Sequence, residues 1–239
     1  MPNDYFQFQQ FRINQASCAQ KVSTDACLLG AAADLRGATR VLDVGTGTGL
    51  LALMAAQRTP RAHIEAIEID ATAAAQAAAN VAASPWVERV AVHALSLAAY
   101  AATQPGSFSH IICNPPFFRR SLASPDAART AARHTGAHSL TFGELAAFAA
   151  AHLAPGGTLT VLLPPPEMQQ FAREAQTHGL AEQARLAVRH RPGGRLTRCI
   201  SQFGALGPAA PQTELVIQAA DGSYSPEFRA LLAGFYLAL

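Results

Sequence analysis

The sequence is poor in lysine and in the residue clusters that bind metals. Lys21 is the only lysine among its 18 basic residues, so nearly all of the positive charge is arginine. Its four cysteines lack CxxC spacing and a neighbouring histidine cluster, which argues against a zinc site and against a disulfide framework. They are Cys18, Cys27, Cys113 and Cys199. We expect four reduced thiols, with Cys113 in a strand of the core, and no bound metal.

The sequence also lacks a long apolar run and a signal peptide. Its most apolar stretch, 145–154, contains His152 and is much shorter than the roughly 20 residues that span a bilayer. The N-terminus has no basic region followed by an apolar segment. Half of the 239 residues are hydrophobic, a globular composition with enough chain for one large domain. We expect a cytoplasmic monomer without membrane contact.

Strand-like and helix-like segments alternate along most of the chain. Short apolar segments bounded by turn residues predict strands at 40–44, 63–69, 90–94, 110–113, 158–163, 182–188, 199–203 and 214–218. Helical patterns cover 50–58, 71–83, 142–153, 167–178 and 225–237, the last with Ser225 as its N-cap. This order predicts an α/β fold with a doubly wound, mostly parallel sheet. The late strands have no helices between them, so we expect antiparallel strands at the C-terminal end.

The first 30 residues precede the first strand of that sheet. We expect them to form an N-terminal cap segment, 1–30, anchored by Phe6, Phe8 and Phe11. The remainder, 31–239, contains no internal repeat and no linker-like stretch. It is therefore predicted to form a single domain.

A glycine-rich loop joins the strand at 40–44 to the following helix. The sequence Asp43-Val-Gly-Thr-Gly-Thr-Gly49 places glycines at Gly45, Gly47 and Gly49, and glycine lets a backbone turn sharply and approach a ligand closely. Ligands of such sheets bind at the carboxyl ends of the strands. The spacing differs from the GxGxxG of dinucleotide binders, and the Asp43 carboxylate would repel a pyrophosphate. The Asp43 carboxylate suits a ligand with a cationic centre and an amine, such as S-adenosylmethionine.

Two acids follow the second strand of the sheet. A carboxylate at Glu68 can accept hydrogen bonds from both ribose hydroxyls of a nucleoside cofactor. Asp70 stands directly before the helix at 71–83 and is expected to cap it. We therefore assign Glu68, rather than Asp70, to cofactor binding.

The residues Asn114-Pro115-Pro116-Phe117 end the strand at 110–113. Two prolines cannot continue a strand ladder, so they predict a rigid loop at the edge where the cofactor would bind. An aromatic amine is a weak nucleophile because its lone pair is delocalised. The Asn114 side-chain oxygen and the Pro115 carbonyl can each accept one of its N–H groups and direct the lone pair at a methyl group. Phe117 can stack on the base.

Arginines cluster in two segments, although the net charge is only +2. The first runs from Arg119 and Arg120 to Arg133, with four arginines against one acid. The second has five arginines and no acid: Arg185, Arg189, Arg191, Arg195 and Arg198. Such clusters can contact the phosphates of a nucleic acid. The alternative is a solvated surface without a partner.

Several of these stretches together resemble one protein family. The glycine loop and the Asn114–Phe117 turn resemble class I methyltransferases of the adenine-N6 type. Nearly the whole chain is similar to bacterial tRNA (adenine-N6)-methyltransferases that modify the base 3′ of the anticodon. The similarity includes residues 6–11 and 84–86, and the narrower part that selects the subfamily is residues 21–30 with the tail, 224–227 and 235–237. The resemblance implies a Rossmann-like seven-stranded sheet, S-adenosylmethionine as cofactor, and adenosine 37 of a tRNA as target.

The resemblance also implies roles for further residues. Lys21, Thr24 and Asp25 belong to the segment that covers the methionine end of the cofactor. The acid with which the family holds the adenine amine is replaced here by Ser96, which can accept one hydrogen bond. Phe117 stands where tyrosine is common and keeps a stacking surface.

Other functions remain compatible with the same residues. The Asn-Pro-Pro-Phe turn also occurs in rRNA guanine-N2 methyltransferases, and a protein glutamine is a third target with the same chemistry. The arginine clusters favour RNA over a protein. A protein that binds RNA and has lost catalysis is a further alternative, but the intact Asp43, Glu68 and Asn114 argue against it.

Overall fold

An eight-stranded sheet forms the centre of the protein, and a two-stranded hairpin precedes it along the chain. The computed structural model describes residues 4–18, 20–115, 140–205, 207 and 211–238. The strands in chain order are β1 (Tyr5–Gln7), β2 (Arg12–Asn14), β3 (Arg40–Val44), β4 (His63–Ile67), β5 (Val90–His93), β6 (Phe108–Cys113), β7 (Leu153–Leu163), β8 (Leu180–Arg189), β9 (Leu196–Ala205) and β10 (Gln212–Val216). The order across the large sheet is β10-β8-β9-β7-β6-β3-β4-β5.

The large sheet is parallel except for one strand. β9 is antiparallel to both of its neighbours, β7 and β8, whereas β10 pairs parallel to β8. The predicted mostly parallel sheet with antiparallel pairing near the C-terminus is therefore confirmed, although only one of the three late strands runs against the rest. The sheet has eight strands rather than the seven that the resemblance implied. The additional strand is β10, which pairs along the outer edge of β8.

Helices connect the parallel strands and cover both faces of the sheet. Within the described ranges they are α1 (Thr24–Ala32), α2 (Leu50–Arg58), α3 (Ala71–Ala82), the short 3-10 helix Val87–Arg89, α4 (Leu97–Ala102), α5 (Phe142–His152), α6 (Pro165–Thr177) and α7 (Pro226–Leu232). Val41 packs into one apolar core with α1, α2 and α7, and its neighbour Leu42 packs into a second core with α4, α5 and α6. Because successive strand residues point to opposite faces, the sheet separates two cores.

Helix starts follow the capping residues in the sequence. Asp70 caps α3 by accepting a hydrogen bond from Ala73 N at 2.8 Å, as predicted. Thr141 and Glu144 form a capping box at α5, and Ser225 caps α7. These side chains accept from backbone N–H groups that have no partner within the helix.

Two element boundaries differ from the sequence predictions by five residues, and most of the others differ by one to three. Pro155 and its glycines lie inside β7, which begins at Leu153 directly after α5, because a register shift opposite Phe108 accommodates them. Gly157 approaches Phe108 so closely that a Cβ there would lie 2.8 Å from the Phe108 carbonyl oxygen. The last helix ends at Leu232 rather than 237. Beyond it the chain turns, and the Phe235 carbonyl accepts a hydrogen bond from Gln9 N.

The N-terminal hairpin is held to the domain by aromatic side chains. Phe8 and Phe11 are buried and Phe6 is half-buried, in agreement with their expected role as anchors. Phe11 contacts the edge of Trp86, and Phe6 packs against Tyr236. Three of the segments that resemble the methyltransferase family, 6–11, 84–86 and 235–237, therefore meet in one aromatic cluster. The division at residue 30 stays a prediction, since α1 runs across it.

In the part of the chain that the structure describes, no helix is long and apolar enough to cross a membrane. No group of His, Cys, Asp and Glu side chains there is placed to hold a metal ion. All four cysteines are free and buried. Cys113 is fully buried in β6, and burial, reinforced by the charges of Asp43 and Glu68, raises the pKa of its thiol well above the ordinary value.

Candidate active site at the carboxyl edge of the sheet

Three adjacent strands bring the predicted site residues together. In the sheet register, Val44 at the end of β3 pairs with Ile67 of β4 on one side and Cys113 of β6 on the other. The residues that follow these strands therefore share one edge of the sheet. From β3 the chain continues to β4 and β5 on one side of the sheet. From β6 it continues to β7 on the other side. This edge between β3 and β6 is thus the topological switch point at which open α/β sheets bind ligands.

Asp43 is a buried carboxylate with one oxygen left open. Its Oδ2 accepts hydrogen bonds from the Thr46 hydroxyl and from Ala52 N, the latter at 3.1 Å. Its Oδ1 is buried and has no hydrogen-bond partner among the described residues. Burial raises the pKa of Asp43 to about 7, against the opposing effect of the two hydrogen bonds and with a further rise from the charge of Glu68. A positive charge placed beside Oδ1 would favour the ionised form.

The glycine loop has a backbone that other residues would strain. Gly45 and Gly47 have φ of +73° and +56°, in the left-handed region, and a Cβ on either would meet no atom within 4 Å. The loop is thus open toward the space in front of it. Gly47 N donates to Glu68 Oε2 at 2.9 Å, and Asp70 N donates to Glu68 Oε1 at 3.0 Å. These bonds hold the Glu68 carboxylate against the loop.

The electrostatics of this edge favour a cation. No lysine or arginine in the described ranges forms an ion pair with Asp43 or Glu68. Burial raises the pKa of Cys18, and the charges of Glu68 and Asp70 add to that rise. Uncompensated carboxylates at a strand edge are suited to a ligand that carries positive charge.

Asn114 supplies a second open acceptor at the same edge. It directly follows Cys113, the partner of Val44, and its Oδ1 is buried without a partner among the described residues. Pro115 beside it is buried as well. A buried amide oxygen without a hydrogen bond costs free energy unless a ligand supplies the donor. Phe117 lies outside the described residues.

Two contacts attach residues before α1 and in its first turn on opposite sides of this edge. Asn14 is bound to Asn80 of α3 on the β4 side. Asp25, in the first turn of α1, forms an ion pair with Arg198 of β9, Oδ2 to Nε at 2.6 Å. The Lys21 and Thr24 side chains between these attachments are exposed. The two attachments therefore lie on opposite sides of the central strands, and Lys21 and Thr24 lie between them along the chain.

Asn80 is a buried residue that sequence reasoning missed. Its Nδ2 donates to the carbonyl oxygens of Asn14 at 2.8 Å and Thr48 at 2.9 Å, and its Oδ1 accepts from Asn14 N at 3.0 Å. It therefore ties the end of β2 to the glycine loop. The signal in the sequence was an asparagine within an alanine-rich helix. In the structure it is fully buried, and polar groups are buried only with partners.

Two other residues complete the edge. Ser96 caps α4, where its Oγ accepts from Ala99 N at 3.1 Å, so the hydroxyl keeps its proton and one lone pair for a ligand. Ile69 follows Glu68 and is 46% exposed, an apolar surface beside the carboxylate. The alternating pattern at 63–69 predicts that Ile69 belongs to the second strand. The strand ends at Ile67, which leaves Ile69 in the loop.

The second arginine cluster contains arginines that form ion pairs with acids and arginines that are exposed in a loop. Three of its arginines pair with acids: Arg185 with Glu182, Arg189 with Glu214 and Arg198 with Asp25. Two stand exposed in the loop between β8 and β9 and form no ion pair over the described part of the chain: Arg191 and Arg195. The arginines of the first cluster, Arg119, Arg120 and Arg133, lie outside the described residues.

Comparisons with known proteins agree with this geometry. Residues 17–176 match the family described as the methyltransferase small domain. The chain is 41% identical to the tRNA1(Val) (adenine(37)-N6)-methyltransferase of Bacteroides thetaiotaomicron, over all of both chains. It is 39% identical to the protein of that name from Pseudoalteromonas translucida, over 97% of this chain and 98% of the relative.

Solved structures share the fold at lower identity. A predicted O-methyltransferase from Agrobacterium tumefaciens superposes with a TM-score of 0.64 at 23% identity, covering 88% of this chain and 96% of that one. A putative RNA methyltransferase from Pyrococcus horikoshii superposes with a TM-score of 0.53 at 19% identity, covering 84% and 92%. The confirmed fold is Rossmann-like. The chain belongs to the methyltransferase small-domain family and, within it, to the tRNA1(Val) (adenine(37)-N6)-methyltransferase family.

Proposed function

We propose that this protein transfers a methyl group from S-adenosylmethionine to the N6 amino group of adenine 37 in a tRNA. The names of its full-length relatives support the substrate. The single observation that carries the chemistry is Asn114 Oδ1, a buried acceptor without a partner among the described residues. Asn114 directly follows β6, the neighbour of β3, whose end carries Asp43 and the glycine loop.

The residues at this edge fit S-adenosylmethionine. Asp43 Oδ1 is an orphaned buried acceptor for the positive methionine end, and the open side of the glycine loop leaves room for it. A carboxylate has about four lone-pair sites, so Glu68 keeps two for the ribose hydroxyls after binding two backbone N–H groups. Residues assigned to the remaining parts of the cofactor are Ile69 and Ser96 at the adenine, and Lys21 and Thr24 at the methionine. When bound, the cofactor supplies an electrophilic methyl group.

Asn114 and Pro115 position the amine of the target base. The Asn114 Oδ1 and the Pro115 carbonyl each accept one N–H bond, which draws the nitrogen toward tetrahedral geometry and aims its lone pair. An unsatisfied buried acceptor costs about 1–3 kcal/mol, and the arriving amine relieves that cost. Asparagine has no useful basicity, so the amine loses its proton to water after the transfer. Phe117, assigned from the sequence, stacks on the base.

Arginines on the same side of the sheet contact the RNA backbone. We assign this role first to Arg191 and Arg195, because both are exposed and neither is neutralised by an acid in the described structure. Arg119, Arg120 and Arg133 are assigned from the sequence. Arg185, Arg189 and Arg198 are engaged with acids, so we expect weaker phosphate contacts from them. All of these groups come from one chain, so a monomer acting on tRNA in the cytoplasm suffices.

The proposed reaction is tested by the nucleosides of a strain that lacks the gene. Mass spectrometry of total tRNA should show loss of N6-methyladenosine. Wild-type protein should restore it, whereas an Asn114→Ala variant at equal abundance should not. Unchanged N6-methyladenosine in tRNA, with loss of N2-methylguanosine from rRNA instead, would assign the guanine-N2 activity to this chain.

A further inference from the structure

Tyr224 presents an aromatic ring at the surface in a fixed orientation. It is 40% exposed, and its ring stacks on Phe228 with centroids 4.6 Å apart and an angle of 23° between the planes. Phe228 is fully buried, so it supports the ring from the core side. The backbone is fixed as well, because Tyr224 bridges to Gln218 and its carbonyl accepts from Arg229 Nε at 3.0 Å. Little rotamer entropy is left to lose when a ligand contacts the ring.

The nearest loop adds positive charge beside this ring. Gln218, the bridge partner of Tyr224, donates its backbone N–H to the His190 carbonyl at 2.9 Å. His190 opens the loop that carries the exposed Arg191 and Arg195. A flat aromatic ring next to unpaired cations is the combination that proteins use to hold unpaired nucleotides.

This surface faces the same edge of the sheet as Asn114. β8 and β7 are both antiparallel to β9, and β10 is parallel to β8, so the carboxyl ends of β6, β7, β8 and β10 point the same way. β10 lies four positions from β6 in the sheet. At about 4.8 Å per strand β10 is about 19 Å from β6, and Tyr224, which bridges to Gln218 beyond the end of β10, lies about one spacing farther out, at about 24 Å. An RNA loop that delivers one base to Asn114 can place a nearby nucleotide at this distance.

We propose that Tyr224 stacks on an unpaired base of the RNA substrate near the methylated one, with Arg191 and Arg195 on the adjoining phosphates. The inference rests on the proposed function and assigns part of its RNA surface. Tyr5 provides a contrast, because it is 42% exposed but the Arg12 guanidinium already lies 3.6 Å from its ring centroid. One face of Tyr5 is thus covered by an exposed guanidinium, whereas Tyr224 is supported by a buried aromatic ring.

The test compares three variants for binding of an unmodified tRNA transcript over a range of salt concentrations. Tyr224→Leu keeps an apolar side chain over Phe228 but removes the flat ring, Tyr224→Phe keeps the ring, and Tyr5→Leu is the matched control. Loss of one stacked base corresponds to roughly 5- to 150-fold weaker binding. We expect this for Tyr224→Leu alone, with an unchanged dependence on salt, since stacking neutralises no phosphate. Thermal unfolding and S-adenosylmethionine titration should show Tyr224→Leu folded and able to bind cofactor.

The outcomes separate this inference from the function on which it rests. If the wild-type protein binds and methylates the tRNA but Tyr224→Leu binds it equally well, the stacking role is wrong and the proposed function stands. If the wild-type protein methylates no tRNA, the proposed function fails, and equal tRNA binding by the wild type and Tyr224→Leu then overturns the inference too. The stacking role would also be wrong if Tyr224→Phe bound tRNA as weakly as Tyr224→Leu does, because Tyr224→Phe keeps the aromatic ring.

Discussion

Arg198 and Asp25 form an ion pair that joins the start of β9 to the first turn of α1, with Nε and Oδ2 2.6 Å apart. Both side chains are largely buried, 18% and 28% exposed, so the pair is screened less than one at the surface. It attaches the segment that carries Lys21 and Thr24 across the carboxyl edge of the sheet. We infer that Arg198 acts mainly on this segment rather than on RNA.

An Arg198→Gln variant should therefore bind S-adenosylmethionine about tenfold more weakly, since a hydrogen bond to a charged group contributes about 1.5–3 kcal/mol and tenfold is about 1.4 kcal/mol. Asp25→Asn should have a similar effect, and the double variant little more. The salt dependence of tRNA binding should stay unchanged. Arg191→Gln is the contrasting variant, expected to lower the salt slope by about 0.7–0.9. A lower slope for Arg198→Gln with unchanged cofactor affinity would assign Arg198 to a phosphate instead.

Asp43 is predicted to cost stability in the free protein. Its folded pKa of about 7 lies above the ordinary value of 3.8, so between these values the folded state binds more protons than the unfolded state. The contribution of Asp43 to the free energy of unfolding therefore falls as pH rises from about 4 to about 7, and this contribution is constant above that pH. Asp43→Asn removes the titration, and it should be more stable than wild type at pH 8 by at most about 4 kcal/mol.

The measurement is urea unfolding of both proteins at pH 5 and pH 8, together with cofactor titration. The stability difference should be larger at pH 8, and Asp43→Asn should lose cofactor affinity because the open oxygen is replaced by an N–H donor. Equal stability of the two proteins at both pH values would show that Asp43 is not held at a cost.

Asn80 is predicted to link stability to cofactor binding. Asn80→Ala leaves three backbone groups without their partner: the N–H and carbonyl of the half-buried Asn14 and the carbonyl of the buried Thr48. We expect the free energy of unfolding to fall by about 2–3 kcal/mol and cofactor affinity to fall as well, because Thr48 belongs to the glycine loop. Thr103→Ala is the control, since it removes a side-chain bond to Tyr100 away from the site. If cofactor affinity in Asn80→Ala matched that of Thr103→Ala, the link to the glycine loop would be absent.

Gly47→Val should abolish cofactor binding through its position rather than through strain alone. A branched side chain at φ +56° is strained and projects into the open side of the loop. Gly37→Val is the matched control, because Gly37 has φ +71° with equally open surroundings outside the loop. Each should lose about 1–3 kcal/mol of stability, but only Gly47→Val should lose affinity in an S-adenosylmethionine titration. Wild-type affinity in folded Gly47→Val would contradict the assignment of the glycine loop.

The parts of the site that depend on local sequence could be predicted, and those that depend on distant pairing could not. The Asp43 loop and the Asp70 cap are each specified by a few consecutive residues whose φ angles and hydrogen bonds are local. Arg198 looked like part of an acid-free cluster because its partner, Asp25, lies 173 residues away along the chain. Strand β10 was recognised as a strand, but its place beside β8 follows from packing and not from its own residues.

The central claim is that Asn114 activates the target amine by accepting its hydrogen bonds. Its most direct test is single-turnover methyl transfer to unmodified tRNA at saturating S-adenosylmethionine, comparing wild type with Asn114→Ala. Loss of one such acceptor in the transition state costs about 2.7–4 kcal/mol, or roughly a hundred- to a thousandfold in rate, while cofactor affinity should change much less. An Asn114→Ala variant that keeps most of the wild-type rate would contradict the account and leave the Asn114–Phe117 turn a structural loop.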